Sequence, residues 1–263
     1  MRYYVTADTH GYYSILESAL REKGFFDDDT PHKLLVLGDL MDRGNEAVKM
    51  QNFILDLMSK DAVILIRGNH EDLFDSLITE DGGKAYSHHI HNGTYDTALQ
   101  LTGYDKAMAA VERWEFAKKA METPFYDVII PAMLNYYETE HYIFTHGWIP
   151  CLKGRGEYHY LKNWRKANEN LWSFARWLNG MEASSMVSES KTIVCGHWNA
   201  SYGHSKIEKN GSEFGEDADH SPYYGKGIIA IDACTAVSGR INCLVIDDEP
   251  VLQEEVMPGE EAR

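Results

Sequence analysis

Five short segments of this chain place a metal-binding residue type at the end of an apolar run. Asp8 and His10 follow Val5-Thr6-Ala7, Asp39 and Asp42-Arg43 follow Leu34 to Leu37, and Asn69-His70-Glu71 follows Val63 to Ile66. Further on, Tyr142-Ile143-Phe144 leads to His146, and Ile193-Val194-Cys195 leads to His197. Hydrolysis of a phosphate monoester is among the slowest uncatalysed reactions, with enzymatic accelerations up to ~10²¹. It calls for a nucleophile at neutral pH, neutralisation of phosphoryl charge and help for the departing oxygen. Two divalent ions ~3.5–4 Å apart supply the first two, and such a pair requires a carboxylate between them and a mixed oxygen and nitrogen shell. Asp8, His10, Asp39, Asn69, His146 and His197 offer that set.

The elements that must position these residues follow from periodicity. Short apolar runs alternating with helical spacing give βαβαβα over the first eighty residues, which implies parallel strands joined by crossover helices. Ser14 and Glu17 have the spacing of a capping box for a first helix carrying Leu16, Ala19 and Leu20. A second helix follows Gly44 with Ala47, Met50, Ile54, Leu55 and Met58 on one face, and a third begins near Glu71. Residues 81–124 break the rhythm. Asp81-Gly82-Gly83 is a turn, Ser87 to Gly93 is polar with His88, His89 and His91 expected at the surface, and Asp105 to Met121 is helical. This stretch reads as an inserted helical lobe. Beyond it the chain is β-rich. Met133–Tyr137 and His141–Thr145 read as a hairpin, and a helix spans Asn168 to Leu178. Strands then end near His197 and Asp232, and a last one covers Ile241 to Ile246. The organisation expected is one domain over 1–253 and an acidic tail over 254–263. Ligands at the carboxyl ends of several strands converge on one sheet edge, where α/β proteins place their sites.

Bulk properties narrow the classes. The chain has 263 residues, 44% hydrophobic and 25% charged, ordinary values for a globular protein. A formal net charge of −16 counsels against nucleic-acid binding. It says little about a small phosphorylated substrate, because metals and one arginine invert the local field. No apolar run approaches the ~20 residues that span a bilayer. Tyr3 already enters a strand, with no export signal before it, so no membrane association and a cytoplasmic location are expected. Cys151, Cys195, Cys234 and Cys243 lack C-x-x-C spacing and read as reduced, buried thiols.

Asp8-x-His10-Gly11, Gly38-Asp39-x-x-Asp42-Arg43-Gly44 and Arg67-Gly68-Asn69-His70-Glu71 resemble the three signature blocks of the calcineurin-like metallophosphoesterases. Asp42-Arg43-Gly44 and Asn69-His70-Glu71 are similar to the phosphoprotein phosphatase branch, in its bacterial form, which also holds the bis(5′-nucleosyl)-tetraphosphatases. Resembling segments cover most of the chain and are weakest over 81–124. Two departures stand out. Ala7 replaces the usual glycine, and His146-Gly147-Trp148 replaces His-Gly-Gly or His-Ala-Gly. Gly196-His197-Trp198-Asn199 lacks the second histidine of Gly-His-x-His, as in the phosphatase branch.

The resemblance implies a four-layer αββα sandwich of two mixed sheets flanked by helices, with a small helical insertion. It implies Asp8 and His10 on one metal, Asp39 bridging, and Asn69, His146 and His197 on the other. Manganese leads among the metals, with iron, zinc and cobalt acceptable. A dimetal-bound hydroxide attacks phosphorus in line. His70 would protonate the leaving oxygen, and Asp42 would hold His70 charged; a helix cap is the plainer reading of Asp42. Arg43 and Asn69 would contact phosphate, and Arg176, in Trp172-Ser173-Phe174-Ala175-Arg176, would add a second phosphate-binding arginine, with Arg155 competing. Arg67 reads as structural, pairing with a carboxylate. Trp164, Trp172 and Trp177 read as core and pocket-wall aromatics, and Asp232 as a support near the site entrance. The substrate implied first is phosphoserine or phosphothreonine in protein, with a phosphorylated protein or small phosphoester as partner. A dinucleoside polyphosphate is the alternative. A nuclease fits the acidity poorly, and a non-catalytic scaffold would be expected to have lost some of these residues.

Overall fold

The computed structural model describes residues 1–154, 157–186 and 189–251. Arg155 and the tail expected over 254–263 lie outside the described residues. Strands β1 (Arg2–Thr6), β2 (His32–Leu37) and β3 (Val63–Ile66) run parallel, joined by helices α1 (Tyr13–Glu22) and α2 (Ala47–Ser59). Strand β1 pairs antiparallel with the last strand, Leu244–Asp247, giving a four-stranded mixed sheet. The second sheet has five strands. Tyr137–Glu138 (β4) pairs antiparallel with Tyr142–Phe144 (β5), which runs parallel to the strand over Thr192–Cys195, itself followed by Ile228–Ala230 and Tyr223–Gly225.

Alternation along the strands builds the four layers. Tyr3, Val5, Leu35 and Leu37 point inward to meet Phe144, Val194 and Ile231 of the second sheet. Their neighbours Tyr4, Leu34 and Val36 point outward onto Leu16 and Leu20 of α1 and Met50 and Ile54 of α2. On the far side, Ile143 and Ile193 pack under Trp148, Trp164 and Trp172. Because the side-chain period of a strand is two, each strand serves two cores at once. The result is the αββα sandwich of two mixed sheets flanked by helices.

The stretch 81–124 folds as helices α4 (Ser87–Asn92), α5 (Thr94–Thr102), α6 (Lys106–Val111) and α7 (Arg113–Met121), following α3 (Asn69–Asp75). Tyr95, Ala98, Phe116 and Ala120 join the same core as α1 and α2, so the lobe is packed onto the first sheet's helices.

Several local expectations need correction. No capping box forms at α1: the Ser14 amide and hydroxyl both donate to Glu46, at 2.9 and 2.6 Å, while Glu17 pairs with Arg21. A tertiary carboxylate outcompetes the local one. The hairpin is shorter than its apolar pattern, since Leu134 makes only an isolated parallel bridge to Ile66. The stretch Ser87 to Asn92 is helical rather than a polar surface loop, and His89 is fully buried, its Nε2 2.7 Å from Asp81. An unanticipated hairpin pairs Cys151–Gly154 with Glu157–Tyr160. The helix expected over Asn168–Leu178 is α8 (Glu169–Ala175), its N-terminus capped by Asn168. Among the described residues Cys151, Cys195 and Cys243 are buried as expected, whereas Cys234 is only partly so, and no helix is long and apolar enough to cross a membrane.

Candidate active site

Leaving β1, β2 and the strand over Thr192–Cys195, the chain turns sharply enough to force L-residues into left-handed backbone. Among the described residues the non-glycine positions with positive φ are Asp8, His10, Asp39, Asp42, Arg43, Asp61, His197, Lys209 and Cys234. All but Asp61, Lys209 and Cys234 are residues singled out above for chemistry. Each such conformation costs about 1–2 kcal/mol, and strain of this kind persists only where surrounding contacts hold it. Those contacts are backbone hydrogen bonds between the loops: His10 N to the Asp39 carbonyl at 2.9 Å and Gly44 N to the His10 carbonyl at 2.8 Å.

Asp39 lies at the centre. Its Oδ1 is 3.3 Å from His146 Nε2, and its Oδ2 is 3.8 Å from both His10 Nε2 and His70 Nε2. His197 joins the His146 side, so two potential metal-binding groups share this one carboxylate. Close approach needs Gly68, where a Cβ would stand 2.2 Å from Asp39 Oδ1. Beneath it, the buried Glu71 carboxylate accepts from the backbone N–H groups of Gly68, Asp39 and Leu40, at 2.7, 3.1 and 2.9 Å. Burial and the nearby Asp39 push Glu71 up to about 7. Glu71 thus clamps the second loop to the third, a role that the sequence signalled only by its place beside His70.

Hydrogen bonds settle the histidine tautomers, because a carbonyl oxygen only accepts. His10 Nδ1–H donates to the Met41 carbonyl at 3.0 Å, and His146 Nδ1–H donates to the Leu37 carbonyl at 2.7 Å. The His197 ring is likewise bonded to the Trp177 carbonyl. Burial, only partly offset by Asp39, lowers all three below the ordinary histidine range, His197 to about 3. The Nε2 lone pairs of His10 and His146 then face the centre. His146 Nε2 lies 2.8 Å from Asn69 Oδ1 and 3.3 Å from Asp39 Oδ1, so three acceptors crowd together with no proton between them. A cation relieves that conflict, and neutral imidazoles fixed by carbonyls are what metal ligation requires. On the other side the Arg43 guanidinium lies 2.6 Å from His10 Nε2 and 3.1 Å from His70 Nε2. The residues therefore fit a pair of divalent ions.

Asp8 adjoins the cluster. Its Oδ2 accepts from the His197 backbone N–H at 2.9 Å, and Gly196 must lack a side chain because a Cβ there would meet this oxygen at 2.2 Å. Burial, then Asp232 and Asp39, raise Asp8 well above the carboxylate range. Asp232, buried, is raised to about 6, its Oδ1 accepting from the Cys234 N–H. It lies deeper than a support at the site entrance would.

His70 Nδ1 is 2.7 Å from Asp42 Oδ2, and both side chains are buried. Burial opposes the imidazolium, but Asp39 and Asp42 outweigh it and raise the His70 pKa. The cap reading of Asp42 does not hold: Glu46 occupies the N-cap of α2. The lobe holds Asp42 instead, Thr94 Oγ1 donating to its Oδ2 at 2.7 Å and Thr97 Oγ1 accepting from its N–H at 3.0 Å. Both threonines escaped sequence reasoning, since nothing local marks them.

Arg176 does not present a free guanidinium. It is buried, paired with Asp72 at 2.8 Å and Glu169 at 2.6 Å, and bonded to the Asn135 amide oxygen. The expected phosphate contact gives way to a structural tie. Arg67 pairs with the other oxygen of Asp72, at 2.7 Å, the structural pairing expected of it. Trp164 and Trp172 are core, whereas Trp177 is 48% exposed beside His197.

Strand-end carboxylate and imidazole groups around one shared carboxylate, on two facing mixed sheets, form an arrangement that could hold two metal ions. Residues 1–230 match the family described as Calcineurin-like phosphoesterase, and the chain belongs to that family of metal-dependent phosphoester hydrolases. Over 135 residues it is 27% identical to the asymmetrical bis(5′-nucleosyl)-tetraphosphatase of Bacillus velezensis, an overlap of 49% of this chain and 52% of that relative. The chain thus spans about half the length of the curated relative it matches. Among solved structures, a cold-active protein tyrosine phosphatase variant aligns with a TM-score of 0.54 and 16% identity, covering 93% of this chain and 74% of that one. A candidate diadenosine tetraphosphatase aligns with a TM-score of 0.49 and 13% identity, covering 95% and 93%.

Proposed function

We propose that this chain hydrolyses phosphoesters at a dinuclear centre bridged by Asp39, with dinucleoside polyphosphates as its substrate class. The observation that carries the chemistry is the division of Asp39: one oxygen faces His146 and the other faces His10 and His70. Asp8 and His10 would hold one cation, and Asn69, His146 and His197 the other. Manganese is the first choice; iron, zinc and cobalt suit the same donors. When bound, the cations would neutralise phosphoryl charge and make water a nucleophile at neutral pH.

The chain's own residues do the rest. Arg43, lying between the two histidines of the Asp42 side, grips phosphoryl oxygens through a fork of N–H donors. His70, charged through its bond to Asp42, delivers a proton to the leaving oxygen. The substrate class draws support from the relative named as a bis(5′-nucleosyl)-tetraphosphatase. A second reading, phosphoserine or phosphothreonine in proteins, is favoured by the buried His70–Asp42 pair, because an alkoxide needs a proton more than a departing phosphate does. Side-by-side turnover of diadenosine tetraphosphate and a phosphoserine peptide, with added manganese, tests the choice. Preference for the peptide overturns the first reading in favour of the second, and inertness toward both overturns the hydrolase.

A further inference from the structure

Tryptophan is usually well buried, yet two exposed indoles stand beside the candidate metal centre. Trp177 is 48% exposed and Trp198 38%. Their ring centroids lie 5.9 and 6.0 Å from that of His197, whose imidazole faces Asp39. Both are fixed in place. The Trp177 carbonyl holds the His197 ring, and Trp198 meets Tyr202 edge-on with centroids 6.2 Å apart. Phe174, 41% exposed, precedes Trp177 by one helical turn, and its carbonyl accepts from the Trp177 N–H.

Arg67 and Arg176 are spent on Asp72, which leaves Arg43 as the one arginine of the three without a carboxylate partner. In a chain of net charge −16, a polyphosphate ester gains little from charge beyond Arg43 and the metals. Neutral surface can grip the rest of the substrate, and flat aromatic rings provide that grip for a flat aromatic group.

We infer that Trp177 and Trp198 form a stacking platform for the nucleobase of a nucleoside polyphosphate whose phosphate lies at Asp39 and Arg43. This deepens the nucleotide reading and rests on it. The two indoles are specificity determinants: they bind the base and take no part in bond breaking.

The first readout is binding. Quenching of tryptophan fluorescence is titrated with ATP and with inorganic tripolyphosphate, in the wild-type protein and in Trp177→Ala, Trp198→Ala and Trp177→Phe. ATP affinity should fall about 5- to 150-fold in the alanine variants, the range expected for losing one base–aromatic stack. Trp177→Phe should retain most of it, and tripolyphosphate affinity should not move. Kinetics follow on the manganese-loaded enzyme, where KM for diadenosine tetraphosphate should rise with kcat nearly unchanged. Unchanged ATP affinity in both alanine variants overturns the platform, as does an equal loss for tripolyphosphate. ATP binding through the tryptophans without turnover of any phosphoester breaks the proposed activity alone. Turnover of diadenosine tetraphosphate that is indifferent to both tryptophans breaks this inference alone.

Discussion

The two sheet edges that meet at Asp39 are built differently. The first contributes Asp8, His10, Asp39, Asp42 and Arg43 from left-handed positions, with Asn69 and His70 at the start of α3. Its loops are knitted together by Glu71 and by the threonines of the lobe. The second contributes His146, His197 and Asp232, and surrounds His197 with exposed indoles. Five left-handed positions gather on the side that would move protons and grip phosphate, against His197 and Cys234 on the other, which also presents the exposed indoles. Chemistry and selectivity therefore sit on different elements and are separable by mutation.

Removing the residue both sides share should have the largest effect. Asp39→Asn is expected to lower kcat about 10³-fold or more, with bound metal falling below two per chain by elemental analysis. Normal metal content with normal turnover would break the account of Asp39. Next comes the proton donor. His70→Asn should cost about 10²–10⁴-fold on an alkyl phosphate and distinctly less on a p-nitrophenyl ester, whose leaving group needs no proton. Equal losses on both esters would show that His70 acts otherwise than as an acid.

Asp42→Asn sharpens the same side through pH. The His70 pKa is raised by Asp39 and Asp42 against the cost of burial, so the active imidazolium is present below that pKa and lost as pH rises through it. Removing the Asp42 charge should move the alkaline fall of kcat/KM to lower pH; an unmoved profile would count against the pair. The smallest effect on activity is expected at Arg176→Met. That change should leave kcat/KM on small phosphoesters within about twofold while destabilising the fold by about 1–3 kcal/mol, because Asp72 loses a charged partner. Thermal unfolding checks the second part, and a steep rise in KM would return Arg176 to phosphate binding.

The residues that meet around Asp39 were legible because they sit within a few residues of strand ends, where local spacing carries the signal. The three blocks around Asp8, Asp39 and Asn69 needed no tertiary knowledge to be found. The βαβ frame was legible for the same reason, since apolar periodicity marks strands and helices one at a time. The failures are of another kind. Ser14 abandoned its capping spacing for Glu46, 32 residues away, and His89 turned inward to Asp81 on a helix that looked like polar loop. For Ser14 a partner distant in sequence outweighed a local propensity, and for His89 a carboxylate eight residues away did so.

The sequence by itself determined which groups are available for chemistry: six residues of metal-binding type, a further histidine, its carboxylate partner and an arginine. Only the tertiary structure decided how they are used. It committed Arg176 to Asp72, 104 residues away, and tied Asp42 to Thr94, 52 residues away. It also left Trp177 and Trp198 bare beside His197. The physical reason is that a residue's type is written locally, whereas its partner and its exposure depend on which distant segments the two sheets bring against it.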